Sequence, residues 1–232
     1  SAELGLYNFE DISGTGTLTS NTNSDYVMSG AIPIGFDFWY YGVTYSDVYA
    51  STNGFLSFLA GQSDGCCSGI SMPNAANPNG VVAGFWTDLD PSLVGDMYYQ
   101  TFGSAPNRRF ILQYEDVADY EGGSQRITFQ IKLFESINEI EVHYADNSFS
   151  TGTIDDVSLG IENQTGTIGL QYLFWNATDP IDLTIPSAVR YTPNTADLSL
   201  IVSTASDTYI AGRKMIADVG VYNNGPDTAF NT

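Results

Sequence analysis

The sequence predicts an all-β protein: an antiparallel two-sheet β-sandwich, jelly-roll-like, followed by strands of a partial second domain. Three observations carry this. Short runs rich in β-branched and aromatic residues recur along the chain, the clearest of them alternating apolar with polar as a half-buried strand does. Gly, Asn, Asp, Ser and Thr fill the gaps between the runs, which is turn chemistry. No stretch of twelve residues carries a helical stripe of apolar positions.

In chain order, strands are expected at 31–38, 47–51, 54–58, 96–100 and 109–114. The most regular pair follows at 126–134 and 139–144, where Arg126-Ile127-Thr128-Phe129-Gln130-Ile131-Lys132-Leu133-Phe134 alternates cleanly. Glu135-Ser136-Ile137-Asn138 between them is short enough to be a hairpin connection. Later strands fall at 157–162, 168–172 and 187–191. Many short strands spaced by turns favour two packed sheets. Near residue 194 the organisation changes: Thr192-Pro193-Asn194-Thr195 reads as a linker, and 196–202 and 215–222 form two new strands. The expected domains are therefore 1–193 and 194–232.

Composition bounds the function. At 232 residues and 43% hydrophobic, the chain can bury a sizeable core and is long enough for one large domain or for one domain plus a piece of another. Seven basic against 27 acidic residues give a net charge of −20, which repels phosphate backbones and anionic membranes, so nucleic acid is excluded as a partner. Asp exceeds Glu by 19 to 8, a bias that suits an acidic soluble surface, a saline habitat or a calcium-rich exterior. No apolar run approaches the ~20 residues that span a bilayer. No basic-plus-apolar leader opens the chain, which is expected to be a mature or excised form.

The candidate site residues cluster in the middle of the sequence. The two cysteines, Cys66 and Cys67, are adjacent within Gly65-Cys66-Cys67-Ser68-Gly69. Neighbours can close only a small ring, so they cannot staple a long loop. A vicinal disulfide is expected of them outside the cell. It would either clamp a turn or offer a flat sulfur face to a ligand, with Trp86 beside it. Asp88 and Asp90 flank Leu89 and face one side of an extended segment, where with Asp96 they could share calcium, a cation that prefers oxygen ligands. Ordinary turn capping by Asp88 is the alternative. Asp64, Asp155 and Asp156 could join by fold-back. Aromatic pairs such as Trp39-Tyr40 and Tyr98-Tyr99 place at most half of their rings in a core. His143, the single histidine, is expected to face solvent on its strand. No nucleophile elbow, zinc-protease helix or phosphate loop is present, and an enzyme is not expected.

Two resemblances sharpen this reading. Phe36-Asp37-Phe38-Trp39-Tyr40-Tyr41-Gly42, then Ser51-Thr52-Asn53-Gly54-Phe55-Leu56-Ser57-Phe58, then Phe85-Trp86-Thr87-Asp88-Leu89-Asp90, then Thr128-Phe129-Gln130-Ile131-Lys132-Leu133-Phe134 resembles, in that order, nidogen-like extracellular domains. The likeness spans roughly 30–175 and departs at Gly84, where that family often has Pro. It is closer still to a bacterial secreted module carrying the Gly-Cys-Cys-Ser-Gly insertion. From about 196 onward, ending in Asn223-Asn224-Gly225-Pro226-Asp227-Thr228-Ala229, the chain resembles the opening strands of an Ig-like bacterial surface repeat, the domain of unknown function eleven. These likenesses imply an extracellular or cell-surface protein. They imply a non-enzymatic binding or adhesion module whose partner is a glycan or an extracellular protein. The alternative is a structural subunit of a surface layer or filament, pairing strands with copies of itself through 196–232.

Overall fold

The computed structural model describes residues 1–121, 125–145, 155–177, 186–193, 198–204 and 217–223. The chain divides into two compact units, Ser1–Thr192 and Pro193–Thr232. In chain order the first unit contains β1 (Ala2–Leu4), β2 (Thr17–Leu18), β3 (Ile32–Tyr40), β4 (Val43–Ala50), β5 (Phe55–Ser57), β6 (Val81–Trp86) and β7 (Asp96–Phe102). It continues with β8 (Arg109–Ala118), β9 (Arg126–Phe134), β10 (Ile140–Tyr144), β11 (Val157–Glu162), β12 (Gly169–Trp175) and β13 (Ala188–Tyr191). One sheet runs β1-β13-β10-β9-β8-β7-β2 and the other β12-β11-β6-β5-β4-β3. Every pairing is antiparallel. The protein is an all-β sandwich.

Alternation explains the outer strands. In β3, Ile32, Ile34, Phe36, Phe38 and Tyr40 are buried while the residues between them are exposed, so one face enters the core and Trp39 stays at the surface. β9 and β10 pair with Ile140 opposite Leu133, closed by the turn at 135–138. Strand β6 behaves differently. All six of its residues are buried, because it lies mid-sheet between β5 and β11. A continuously apolar strand has no period of two, which is why the sequence offers no strand at Val81–Trp86 and extended chain is expected only around Asp88 and Asp90. The facing sheets are also tied by hydroxyls. Tyr114 on β8 donates to the carbonyls of Ser51 (2.6 Å) and Phe55 (3.0 Å), and Tyr144 on β10 donates to that of Gly84.

The outer face of the first sheet overturns one expectation. β1 pairs at one edge of this sheet and β2 at the other, so residues 5–16 must cross it. On the way the Asn8 amide donates to His143 Nδ1 (3.2 Å), the Glu10 amide to Gln130 Oε1 (3.1 Å) and the Ile12 amide to Gln113 Oε1 (2.9 Å). Lys132 Nζ donates to the Asn8 carbonyl and to Glu10 Oε1. His143 is thus wholly buried, with Nε2 2.9 Å from Glu141 Oε2, and does not face solvent as expected. An outward position is wet only if nothing covers it. Here the cover comes from more than a hundred residues upstream in sequence.

In the second unit, β14 (Leu198–Thr204) and β15 (Ala217–Asn223) pair antiparallel as a two-stranded sheet.

Candidate recognition loop and acidic pit

The site is built on the turn between β4 and β5. Gly54 has φ +84°, and a Cβ there would lie 1.9 Å from the Phe85 carbonyl oxygen, so only glycine lets the turn press against the end of β6. The Phe85 amide donates to the Gly54 carbonyl (2.9 Å). Asn53 beside it is wholly buried and joins three segments. Its Oδ1 accepts from the Leu89 amide (3.1 Å), its Nδ2 donates to the Asp64 carbonyl (3.2 Å), and its carbonyl accepts from the Thr87 amide (3.3 Å). Ser51 Oγ donates to the same Asp64 carbonyl.

That carbonyl belongs to the long connection 58–80 between β5 and β6, which holds the cysteines. Gln62 Oε1 accepts from the Asn79 amide (2.8 Å) and Asn77 Oδ1 from the Ser63 amide (2.7 Å), closing the two arms of the connection on each other. Farther along, the Gly69 amide donates to the Asp156 carbonyl (2.7 Å) and the Met72 amide to Gln171 Oε1 (2.8 Å). At its tip Gly65, with φ +74°, lies against the rings of Phe55 and Trp86, where a Cβ would meet ring atoms at 2.6 and 2.8 Å. Trp86 Nε1 donates to the Gly65 carbonyl (2.9 Å). Trp86 is only 1% exposed. It was expected at the ligand surface and is instead the floor under the loop, because β6 is a central strand and the loop closes over its end.

Cys66 and Cys67 are bonded to each other, the peptide between them is cis, and both residues are exposed. The Cys66 amide is held by Asp64 Oδ1 (2.9 Å). The ring therefore stands on a loop that is hydrogen-bonded along its length and faces outward.

Beside the ring lies a cluster of acidic residues. Asp88 is 6% exposed, its carboxylate is within 4.8 Å of both sulfurs, and its Oδ1 has no hydrogen-bond partner. Burial pushes the Asp88 carboxyl up to about 7, aided by the charges of Asp155, Asp25, Asp90 and Glu121. Burial, then Asp90 and Asp64, push Asp25 up to about 6, and its Oδ1 is likewise unpartnered. Asp90 is buried and its Oδ1 accepts from the Ser92 amide (2.8 Å), a turn cap. Segment 88–90 is fixed by its neighbour: the Asp90 amide donates to the Ala118 carbonyl and the Tyr120 amide to that of Asp88. The rings of Tyr26 and Tyr120 pack with centroids 5.7 Å apart. Burial, the hydrogen bond with Tyr120 and the charges of Asp88 and Asp25 all push the Tyr26 phenol up.

Asp96 is not part of this cluster. On β7 its Oδ1 accepts from Thr22 Oγ1 (3.1 Å) and its Oδ2 from the Tyr98 hydroxyl (3.2 Å), and the charges that bear on Asp88 are those of other acids. Among the described residues, Asp88, Asp90 and Asp96 do not form a set whose ligand atoms lie within 4.8 Å of one another; Cys66, Cys67 and Asp88 do. Two sulfurs joined to each other carry no thiolate to give a metal. Of the expected residues the fold gathers Cys66, Cys67, Asp88 and Asp90, with Asp64 and Asp155, over Trp86. Sequence reasoning missed Asp25, Tyr26, Asn53 as a hub, and Tyr120. Asn53-Gly54 carried a turn signal; the others are brought in by pairing across the chain.

Set beside known families, the chain matches the family model described as NIDO related over residues 2–201. The chain belongs to the NIDO-related family. The match covers the whole sandwich and reaches into β14. No solved structure matches this NIDO-related chain. Among the described residues no helix is long and apolar enough to cross a membrane.

Proposed function

We propose that this NIDO-related domain is a non-enzymatic extracellular recognition module of a bacterial surface or secreted protein, and that its contact surface is the 58–80 connection with the Cys66–Cys67 ring. The observation that carries this reading is the exposed disulfide on a loop pinned by hydrogen bonds at Ser63, Gly65, Cys66, Gly69, Met72 and Asn79, over buried Trp86. A ring that served only to clamp a turn gains nothing by facing water. A rigid exposed one lowers the ordering cost of an encounter, because the loop already has its bound shape. The neighbouring Tyr26 and Tyr120 offer rings on which a sugar face stacks, and Asp64 adds hydrogen-bond acceptors. The family and the disulfide both support an extracellular location. The ligand class that fits is a glycan or an extracellular protein.

The test is a glycan and matrix-protein array probed with the chain and with its Cys66→Ser/Cys67→Ser variant. Binding by the parent that the variant loses supports the reading. Binding that survives in the variant moves the contact surface elsewhere, and an array with no binder removes the reading.

A second reading, a structural subunit pairing strands through 196–232, has one observation in its favour. Among the described residues β14 and β15 form a two-stranded sheet, and such a pair needs further strands for independent stability. This segment is the one that resembles the opening of an Ig-like surface repeat. Concentration-dependent assembly lost on removing 196–232, with array binding intact, would favour it.

A further inference from the structure

We propose that Cys66, Cys67 and Asp88 form a redox-gated site for one zinc-class divalent ion, closed while the cysteines are bonded to each other and open once a dithiol reductant has cut that bond. The site rests on the geometry of the three residues and not on the recognition reading. Two independent observations lead to it. One ligand atom from each residue lies within 4.8 Å of the other two, so small shifts bring all three to the zinc distances of about 2.3 Å for sulfur and about 2.0–2.2 Å for oxygen. Asp88 is also 6% exposed with Oδ1 unpartnered, and a buried carboxylate oxygen without a donor is costly to keep. A cation relieves it. The side-chain charges that bear on this carboxyl, those of Asp155, Asp25, Asp90 and Glu121, are all negative and favour a positive guest.

The gate is chemical, because the thiolate and not the disulfide is the metal ligand. Both cysteines are exposed, so a reductant reaches them. Its thiolate attacks one cysteine sulfur, the Cys66–Cys67 bond breaks, and the mixed disulfide resolves as the reductant closes on itself. Two electrons and two protons pass to the protein as a pair of thiols. The ion then displaces the two thiol protons and sits on two thiolates and the Asp88 carboxylate. The hydrogen bonds that pin the loop at Ser63, Gly65, Cys66, Met72 and Asn79 use nitrogen and oxygen atoms alone, so they outlast the ring and keep both cysteines over Asp88. Two soft sulfurs with one oxygen suit zinc, whereas calcium and magnesium take oxygen. Zinc has no redox chemistry of its own and does not return the pair to the ring.

The experiment reduces the whole chain with dithiothreitol, removes the reductant without air, and titrates with cadmium, a zinc-class ion whose bonds to thiolate absorb in the ultraviolet. The reduced parent is expected to take one cadmium per chain with that absorption, to release it to zinc and not to calcium, and the oxidised parent to show none. Asp88→Asn is expected to weaken cadmium binding by at least ~10-fold, the loss that follows even when an outer partner of a metal ligand is removed. Asp88→Glu, which keeps a carboxylate, is expected to stay close to the parent, as is the exposed control Asp37→Asn. No thiolate absorption in the reduced parent overturns the site, and equal absorption in the oxidised parent overturns the gate. Equal affinity in Asp88→Asn and parent removes Asp88 from the ligand set and overturns the proposal as stated. Array binding by a chain whose reduced form takes no cadmium overturns this inference and leaves the recognition reading standing; cadmium binding with an empty array does the reverse.

Discussion

Asn53 joins three stretches of chain through one amide side chain and one carbonyl, and the whole loop inherits its position from them. Replacing it with Ala strands the Leu89 amide, and is expected to cost about 3 kcal/mol in a urea titration, since lost hydrogen bonds and orphaned buried groups add. Trp86→Phe keeps most of the packing against Gly65 and Phe55 but removes the Nε1 donor to the Gly65 carbonyl. Its expected cost is about 1–2 kcal/mol, with faster amide exchange confined to the loop around Cys66. The disulfide itself is checked by intact mass without reductant, which should fall below that of the dithiol by two hydrogens; a titre of free thiols would contradict it. The cysteine pair was legible in the sequence because adjacency is a local fact. The burial of Trp86 was not, because a tryptophan beside a turn reads the same whether a loop closes over it or not.

At the level of elements, the strap across the first sheet is the part most exposed to test. Glu10 sits between Arg109 and Lys132. Burial alone would raise its carboxyl, but hydrogen bonds and charge from those two hold it down at about 2. A carboxylate depressed in the folded state adds stability above its unfolded value of about 4.3, and that stability is lost as pH falls from there towards about 2. Acid unfolding of the parent should therefore steepen in that window, and Glu10→Gln should flatten it. The same variant leaves wholly buried Lys132 without its counter-charge, an expected loss of about 3 kcal/mol near neutral pH. Strands with a strict alternation, such as β3 and β9, could be placed from sequence because polar and apolar residues take turns along them; in β3 the polar face is wet, whereas in β9 the strap covers much of it. β6 escaped because it is dry on both faces, and β1 and β2 because two or three residues are too few for any period. The acidic cluster was half legible: Asp88 and Asp90 are near neighbours in sequence, but Asp25 arrives only through the fold.

Across the whole molecule, a net charge of −20 on 232 residues means that the folded state works against its own repulsion. Adding sodium chloride at neutral pH is expected to raise Tm smoothly by screening, checked by thermal unfolding over a salt series. The strap has a further consequence, in the order of events rather than in energy. Its amides at 8, 10 and 12 find their partners 135, 120 and 101 residues later in the chain. Contacts of such separation are slow to form, because the intervening loop must close before any of them rewards it. The strap is therefore expected to settle after the strands it crosses. In refolding followed by pulsed amide exchange, the amides of Asn8, Glu10 and Ile12 are expected to gain protection after those of β8, β9 and β10, since the side chains of Gln113, Gln130 and His143 that accept from them are in place only once those strands have paired.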